Sequence, residues 1–137
     1  MTVQRHEHTD PREWLNRARS NLQHARMRDA EIYLEELCFG TQQAAEKAVK
    51  GVLLHKGVAF PYIHDLDRLL RLAMSSGEQV PEAVRQAGDL TRYAVETRYP
   101  GASREVSEEE YREALAIAEA VVRWAEEIIL GEGGQRA

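Results

Sequence analysis

The stretch Cys38-Phe-Gly-Thr-Gln-Gln-Ala-Ala-Glu-Lys-Ala-Val-Lys50 decides how this 137-residue chain folds. Extended both ways, it carries the apolar series Tyr33, Leu34, Leu37, Thr41, Ala44, Ala45, Ala48 and Val52, with no proline before Pro61. Three- and four-residue spacing of this kind predicts one long helix, ending near His55 to Gly57, where glycine suits a C-cap. Gly40 and Gly51 lie inside it. Each weakens a helix by about 1 kcal/mol relative to alanine, so close approach of a neighbouring helix is the expected reason for both. Gln43, Lys47 and Lys50 recur at i, i+4 and i+7 on a second face, and the ordinary expectation there is a solvated surface with Glu46 offsetting the lysines.

The flanks repeat the helical period. Asp10-Pro-Arg-Glu13 places Asp at an N-cap, Pro at the first helical position and Glu at the third, and Trp14, Ala18, Leu22 and Ala25 follow; a helix over roughly 11–27 is predicted. Beyond the loop Gly57-Val-Ala-Phe-Pro-Tyr-Ile-His-Asp65, the residues Leu66, Leu69, Leu70 and Ala73 mark a short helix that stops at Ser75-Ser-Gly77. Pro81 opens another, with the stripe Val84, Ala87, Leu90 and Ala94, ended by Pro100-Gly101. Ser107-Glu-Glu-Glu110 is a capping box before the last helix, which runs from Tyr111 past Ile129 and closes at Gly131. No segment alternates with strand period. The expected architecture is all-α: an antiparallel up-and-down bundle of four main helices plus a short helix, one domain over 11–130 between a flexible segment 1–10 and a flexible tail 131–137.

Composition narrows the function. Net charge is −5, so the chain as a whole lacks the positive field that draws proteins onto nucleic acid or anionic lipid, and any such role needs a local patch. The single cysteine, Cys38, forms no internal disulfide and reads as a small core side chain. His6 and His8 make at most a weak two-ligand site. No metal, cofactor or membrane partner is expected, and the chain reads as cytoplasmic.

The Cys38–Lys50 stretch, together with Phe60-Pro-Tyr-Ile-His-Asp-Leu66 and Thr97-Arg-Tyr-Pro100, closely resembles the HEPN domain family, the small helical nucleotide-binding domains of higher eukaryotes and prokaryotes. The resemblance runs from Trp14-Leu15 to about Ala118-Glu119. It implies a homodimeric helical bundle from a bacterium or archaeon, partnered with a small nucleotidyltransferase in a pair that often behaves as a toxin–antitoxin module. Many members are metal-independent ribonucleases that carry an arginine followed four to six residues later by a histidine. Here that histidine is missing: Arg92 is followed at those distances by Glu96, Thr97 and Arg98, Arg98 by Ala102, Ser103 and Arg104, and no histidine follows His64. Arginine stays protonated near neutral pH and cannot replace the proton-transfer group.

Two readings of Leu90-Thr-Arg-Tyr-Ala-Val-Glu-Thr-Arg-Tyr-Pro-Gly101 therefore stay open. Arg98 and Tyr99 lock a helix end and the Pro100 turn, with Arg92 pairing to Glu96 at i, i+4; or Arg92, Arg98 and Tyr99 line a groove for phosphate or nucleotide. Asp65 suits a helix N-terminus and His64 a capping role. The expected function is a non-catalytic module that binds a nucleotide or a nucleotidyltransferase-type partner, with ligand groups drawn from Gln43, Lys47, Lys50, Arg92, Arg98 and Tyr99. The alternative is an atypical ribonuclease acting on RNA through His64 with Arg92 or Arg98.

Overall fold

A computed structural model describes residues 2–94 and 105–131. Those residues form α1 (Pro11–Ala25), α2 (Leu34–His55), α3 (Leu66–Ser75), α4 (Glu82–Arg85), a three-ten helix (Gln86–Ala94) and α5 (Glu108–Leu130), with no strand among them. The chain is an all-helical bundle. The Thr97–Pro100 turn, with Arg98 and Tyr99, lies outside the described residues, as does the tail from 132 onward.

α2 is the axis around which the rest is built. It packs against α1, α3, α5 and the three-ten helix at once, and its buried residues point in every direction: Leu37, Gly40, Ala44, Ala45, Ala48, Val49, Val52 and Leu53 among them. The two glycines are where α1 comes closest. A Cβ at Gly40 would lie 3.3 Å from Ala25 Cβ, and one at Gly51 would lie 3.2 Å from both Trp14 Cβ and Ile129 Cδ1. Eleven residues forward on α2 match eleven back on α1, so the two helices run antiparallel, and the close approach expected at these glycines is within one subunit. Along α1 and α5, Arg19 pairs with Glu126 at 2.7 Å and Arg26 with Glu119 at 2.9 Å, again seven forward against seven back. These partly exposed pairs set register more than stability, at about 1 kcal/mol or less each.

The helix ends follow the chemistry of their residues. Asp10 accepts the Arg12 amide, Asp65 accepts those of Asp67 and Arg68, and Ser107 and Glu110 form the reciprocal capping box. α2 stops because Gly57 takes a left-handed φ of 73°, which lets the Val58 amide reach back to the Leu53 carbonyl at 2.9 Å. Residues before α1 lie along it: Trp14 Nε1 donates to the His8 carbonyl and Asn16 Nδ2 to the Gln4 carbonyl, both at 2.8 Å.

The fourth predicted helix departs from expectation. Among its described residues only Glu82–Arg85 is α-helical, and Gln86–Ala94 winds as a three-ten helix. The buried residues explain it: Val84, Ala87, Leu90 and Tyr93 stand three apart throughout, and only three residues per turn keeps them all on one face. Tyr93, which the α-helical stripe omitted, is therefore a core residue.

Gly51 sits where α1, α2 and α5 meet, so Gly51→Leu is expected to overpack the junction and cost about 1–3 kcal/mol. A urea denaturation midpoint equal to that of the parent protein would show that this junction is not tight.

Candidate functional site

Sequence spacing alone puts Gln42, Glu46 and Lys50 on one line along α2, and that line lies on the buried part of the helix. Their exposures are 0%, 5% and 3%. Buried charge is tolerated only when paired and hydrogen-bonded, and Glu46 is both. Its carboxylate accepts from Gln42 Nε2 at 2.6 Å, from Lys50 Nζ at 2.7 Å and from His64 Nδ1 at 2.9 Å. Burial pushes the Glu46 carboxyl upward, but the hydrogen bonds from Lys50, His64 and Gln42 outweigh it and hold the group below the ordinary carboxylate range. An ionised carboxylate only accepts, so Nδ1 of His64 carries a proton and Nε2 is left for another partner. The expectation of a solvated face with Glu46 merely offsetting lysines is overturned: Glu46 and Lys50 are an interior pair.

The loop from 59 to 65 closes over this pair. The Lys50 ammonium lies 5.8 Å from the Phe60 ring centre and 5.4 Å from that of Tyr62, in the range of cation–π attraction. Phe60 in turn meets Trp14 of α1 edge to face, with ring centres 6.2 Å apart. Tyr62 is held on its inner side by Lys50 and is 93% exposed. Its ring centre is 6.3 Å from that of His64, whose side chain is 58% exposed. Together they form a ledge: an open aromatic face beside an imidazole whose orientation is fixed from below by Glu46. His64 thus does not cap α3, a role that Asp65 performs.

The other predicted ligand groups are distributed elsewhere. Lys47 turns to α1, where its Nζ donates to Asn21 Oδ1 at 2.8 Å, and burial, with Arg17 nearby, lowers the pKa of its ammonium. Gln43 is half-buried. Lys47 and Lys50 therefore do not form one ligand face. Arg92 Nη2 donates to Glu110 Oε2 at 3.1 Å and to the Tyr93 hydroxyl oxygen at 2.9 Å, so the capping residue of α5 also anchors the three-ten helix. Glu96, the expected Arg92 partner, and Arg98 and Tyr99 lie outside the described residues. Cys38 is buried against Tyr93, and burial pushes its thiol up to about 12, which removes it as a nucleophile.

Sequence reasoning missed Gln42, Glu46 and Tyr62. The signal was available in the small residues Ala44, Ala45, Ala48 and Gly51, which put more than one side of α2 against neighbours. Gln42 Oε1 is buried without a partner, and flipping the amide to satisfy it would set an oxygen against the Glu46 carboxylate.

No group of three or more His, Cys, Asp or Glu side chains among the described residues has metal-site geometry, and no helix there is long and apolar enough to cross a membrane. The family model described as HEPN domain matches residues 11–128. Two crystal structures are similar over most of their length. TT1696 from Thermus thermophilus is 34% identical, with a TM-score of 0.74 over 85% of this chain and 96% of that one. ST0689, an archaeal HEPN homologue, is 28% identical, with a TM-score of 0.70 over 88% and 98% respectively. No curated protein matches the chain.

Because the folded pKa of Glu46 lies below its ordinary value of 4.5, the cluster stabilises the fold above that pH and loses its contribution as pH falls through the folded value. Glu46→Gln should cost about 3–5 kcal/mol near neutrality by leaving Lys50 buried without its anion. The gap from the parent protein should narrow in acid. Urea melts at several pH values measure it, and a gap that does not change with pH would contradict the charge pairing.

Proposed function

The chain belongs to the HEPN domain family, and from that premise we propose that it is a non-catalytic nucleotide-binding module that works as a homodimer beside a small nucleotidyltransferase-type partner, in a toxin–antitoxin-like pair. The observation that carries the ligand half of this reading is the Tyr62–His64 ledge. An exposed aromatic ring with a buried ammonium on its inner side offers a face for a base, and stacking of that kind is worth about 1–3 kcal/mol per base. The adjacent imidazole presents Nε2 for a phosphate or ribose oxygen. Arg92, Arg98 and Tyr99 are proposed as further ligand groups. The partner half of the reading comes from the family alone.

Against catalysis stands the different anchoring of the two groups a ribonuclease would need together. His64 is oriented by Glu46 of α2 and Arg92 by Glu110 of α5, so each answers to a different carboxylate on a different helix. One observation favours the second reading. His64 with Glu46 is a histidine oriented by a buried carboxylate, the arrangement that positions an acid–base group; with Arg92 or Arg98 brought to it, such a site would cut RNA.

Calorimetric titration with ATP and other nucleotides is expected to give saturable binding, weakened about tenfold in Tyr62→Ala. Co-purification from the native host is expected to recover the nucleotidyltransferase. Absence of both would sink the module reading. Incubation with single-stranded RNA in chelator is expected to leave it intact; cleavage that disappears in His64→Ala would establish the ribonuclease instead.

A further inference from the structure

α3 carries two stripes of identical spacing. Leu66, Leu69, Leu70 and Ala73 are buried against the bundle. Arg68, Arg71, Leu72 and Ser75, each displaced by two residues, occupy the opposite side, and with Pro61 they line a shallow cleft of about 420 Å³. The charged lining of this cleft is wholly cationic. The cleft between α1 and α5 also holds three arginines, Arg19, Arg26 and Arg123, but Glu119 and Glu126 stand among them.

Arg12, Arg17, Arg19, Arg26, Arg28, Arg92 and Arg112 each have a carboxylate within ion-pair distance. Among the described residues Arg5, Arg68, Arg71, Arg85 and Arg123 have none, but Arg85 donates to the Val80 carbonyl, Arg5 and Arg123 line clefts that also hold Glu13 or Glu119 and Glu126, and Arg68 and Arg71 share a cleft whose lining has no carboxylate, although the chain carries five more negative than positive charges. Two like charges three residues apart on a helix repel weakly, and an anion bound between them would remove that repulsion.

We infer that the Arg68–Arg71 cleft is a binding site for a phosphate dianion, either a free phosphate or pyrophosphate ion or the phosphate end of a nucleotide. Two guanidiniums match a doubly charged oxyanion in charge, and each fork presents parallel N–H donors at the spacing of phosphate oxygens. Ser75, one turn beyond Arg71, adds a hydroxyl donor. The inference stands apart from the Tyr62–His64 ledge, since it needs neither a base nor stacking.

The test is titration of the full chain with pyrophosphate at low salt, read by calorimetry and by the amide resonances of Leu72 and Ser75. Saturable binding is expected, weakened about tenfold by Arg68→Gln or Arg71→Gln, more by the pair, and unchanged by Arg123→Gln, an exposed arginine elsewhere. Melting temperatures should be equal, because none of these side chains is in the core. ADP that competes with pyrophosphate and shifts the same amides would identify a nucleotide as the source, and pyrophosphate binding that ADP leaves untouched would identify a free ion. Tyr62→Ala separates the two sites, since it should weaken stacking-dependent nucleotide binding and leave pyrophosphate alone. No saturation with pyrophosphate, or the same affinity in the double variant, would overturn the inference.

Discussion

A helix buried over most of its circumference imposes two conditions on everything around it. Neighbours can reach its axis only where side chains are small, and any charge on its inner sides must be neutralised in place because those sides do not lead to water. α2 meets the first condition with Gly40 against Ala25 and Gly51 against Trp14 and Ile129, which fixes where α1 and α5 cross it. It meets the second with Glu46 and Lys50. Hydrophobic residues of similar volume would pack there at equal or lower free energy. The interior pair does something else: it supplies a carboxylate with acceptor capacity to spare, which His64 takes up.

That spare capacity connects distant parts of the chain. His64 brings the loop from 59 to 65 down onto α2, and two residues later the Leu66 amide donates to Thr91 Oγ1, tying the start of α3 to the three-ten helix. Arg92 then links that helix to Glu110, whose other oxygen accepts the Ser107 amide in the cap of α5. Polar contacts thus run from the central helix through the loop to the first turn of the last helix. The hydrophobic core holds the helices together, and these contacts decide how the connecting segments lie on them.

The fold was legible because its signals are local. Asp10-Pro11, Gly57, Asp65 and the Ser107–Glu110 box each state a boundary in a few residues, and the long period around Ala44 and Ala48 gives the central helix. What could not be read was which face is wet. Gln43, Lys47 and Lys50 share a line on a helical wheel, and charge on a wheel ordinarily means solvent; burial of Lys50 depends on where Phe60 and Tyr62 come to rest, and neither is near it in sequence. The same limit hid Glu46 as the partner of His64, on the far side of the loop. The three-ten winding was missed for a different reason. A three-residue spacing of Val84, Ala87, Leu90 and Tyr93 fits both helix types over one turn and separates them only over three, and Ala94 offered an equally apolar α-helical continuation.

Three-ten winding also changes where Arg92 points. In an α-helix it would share a side with residues four and seven further on, the basis for linking it to Glu96 and Tyr99. At three residues per turn up to Ala94, its direction is set instead by the core spacing of Leu90 and Tyr93, which turns it toward α5 and Glu110. His64 is turned by Glu46. Each group is therefore held by a carboxylate that has no part in holding the other, so removing either carboxylate frees one group and leaves the other in place.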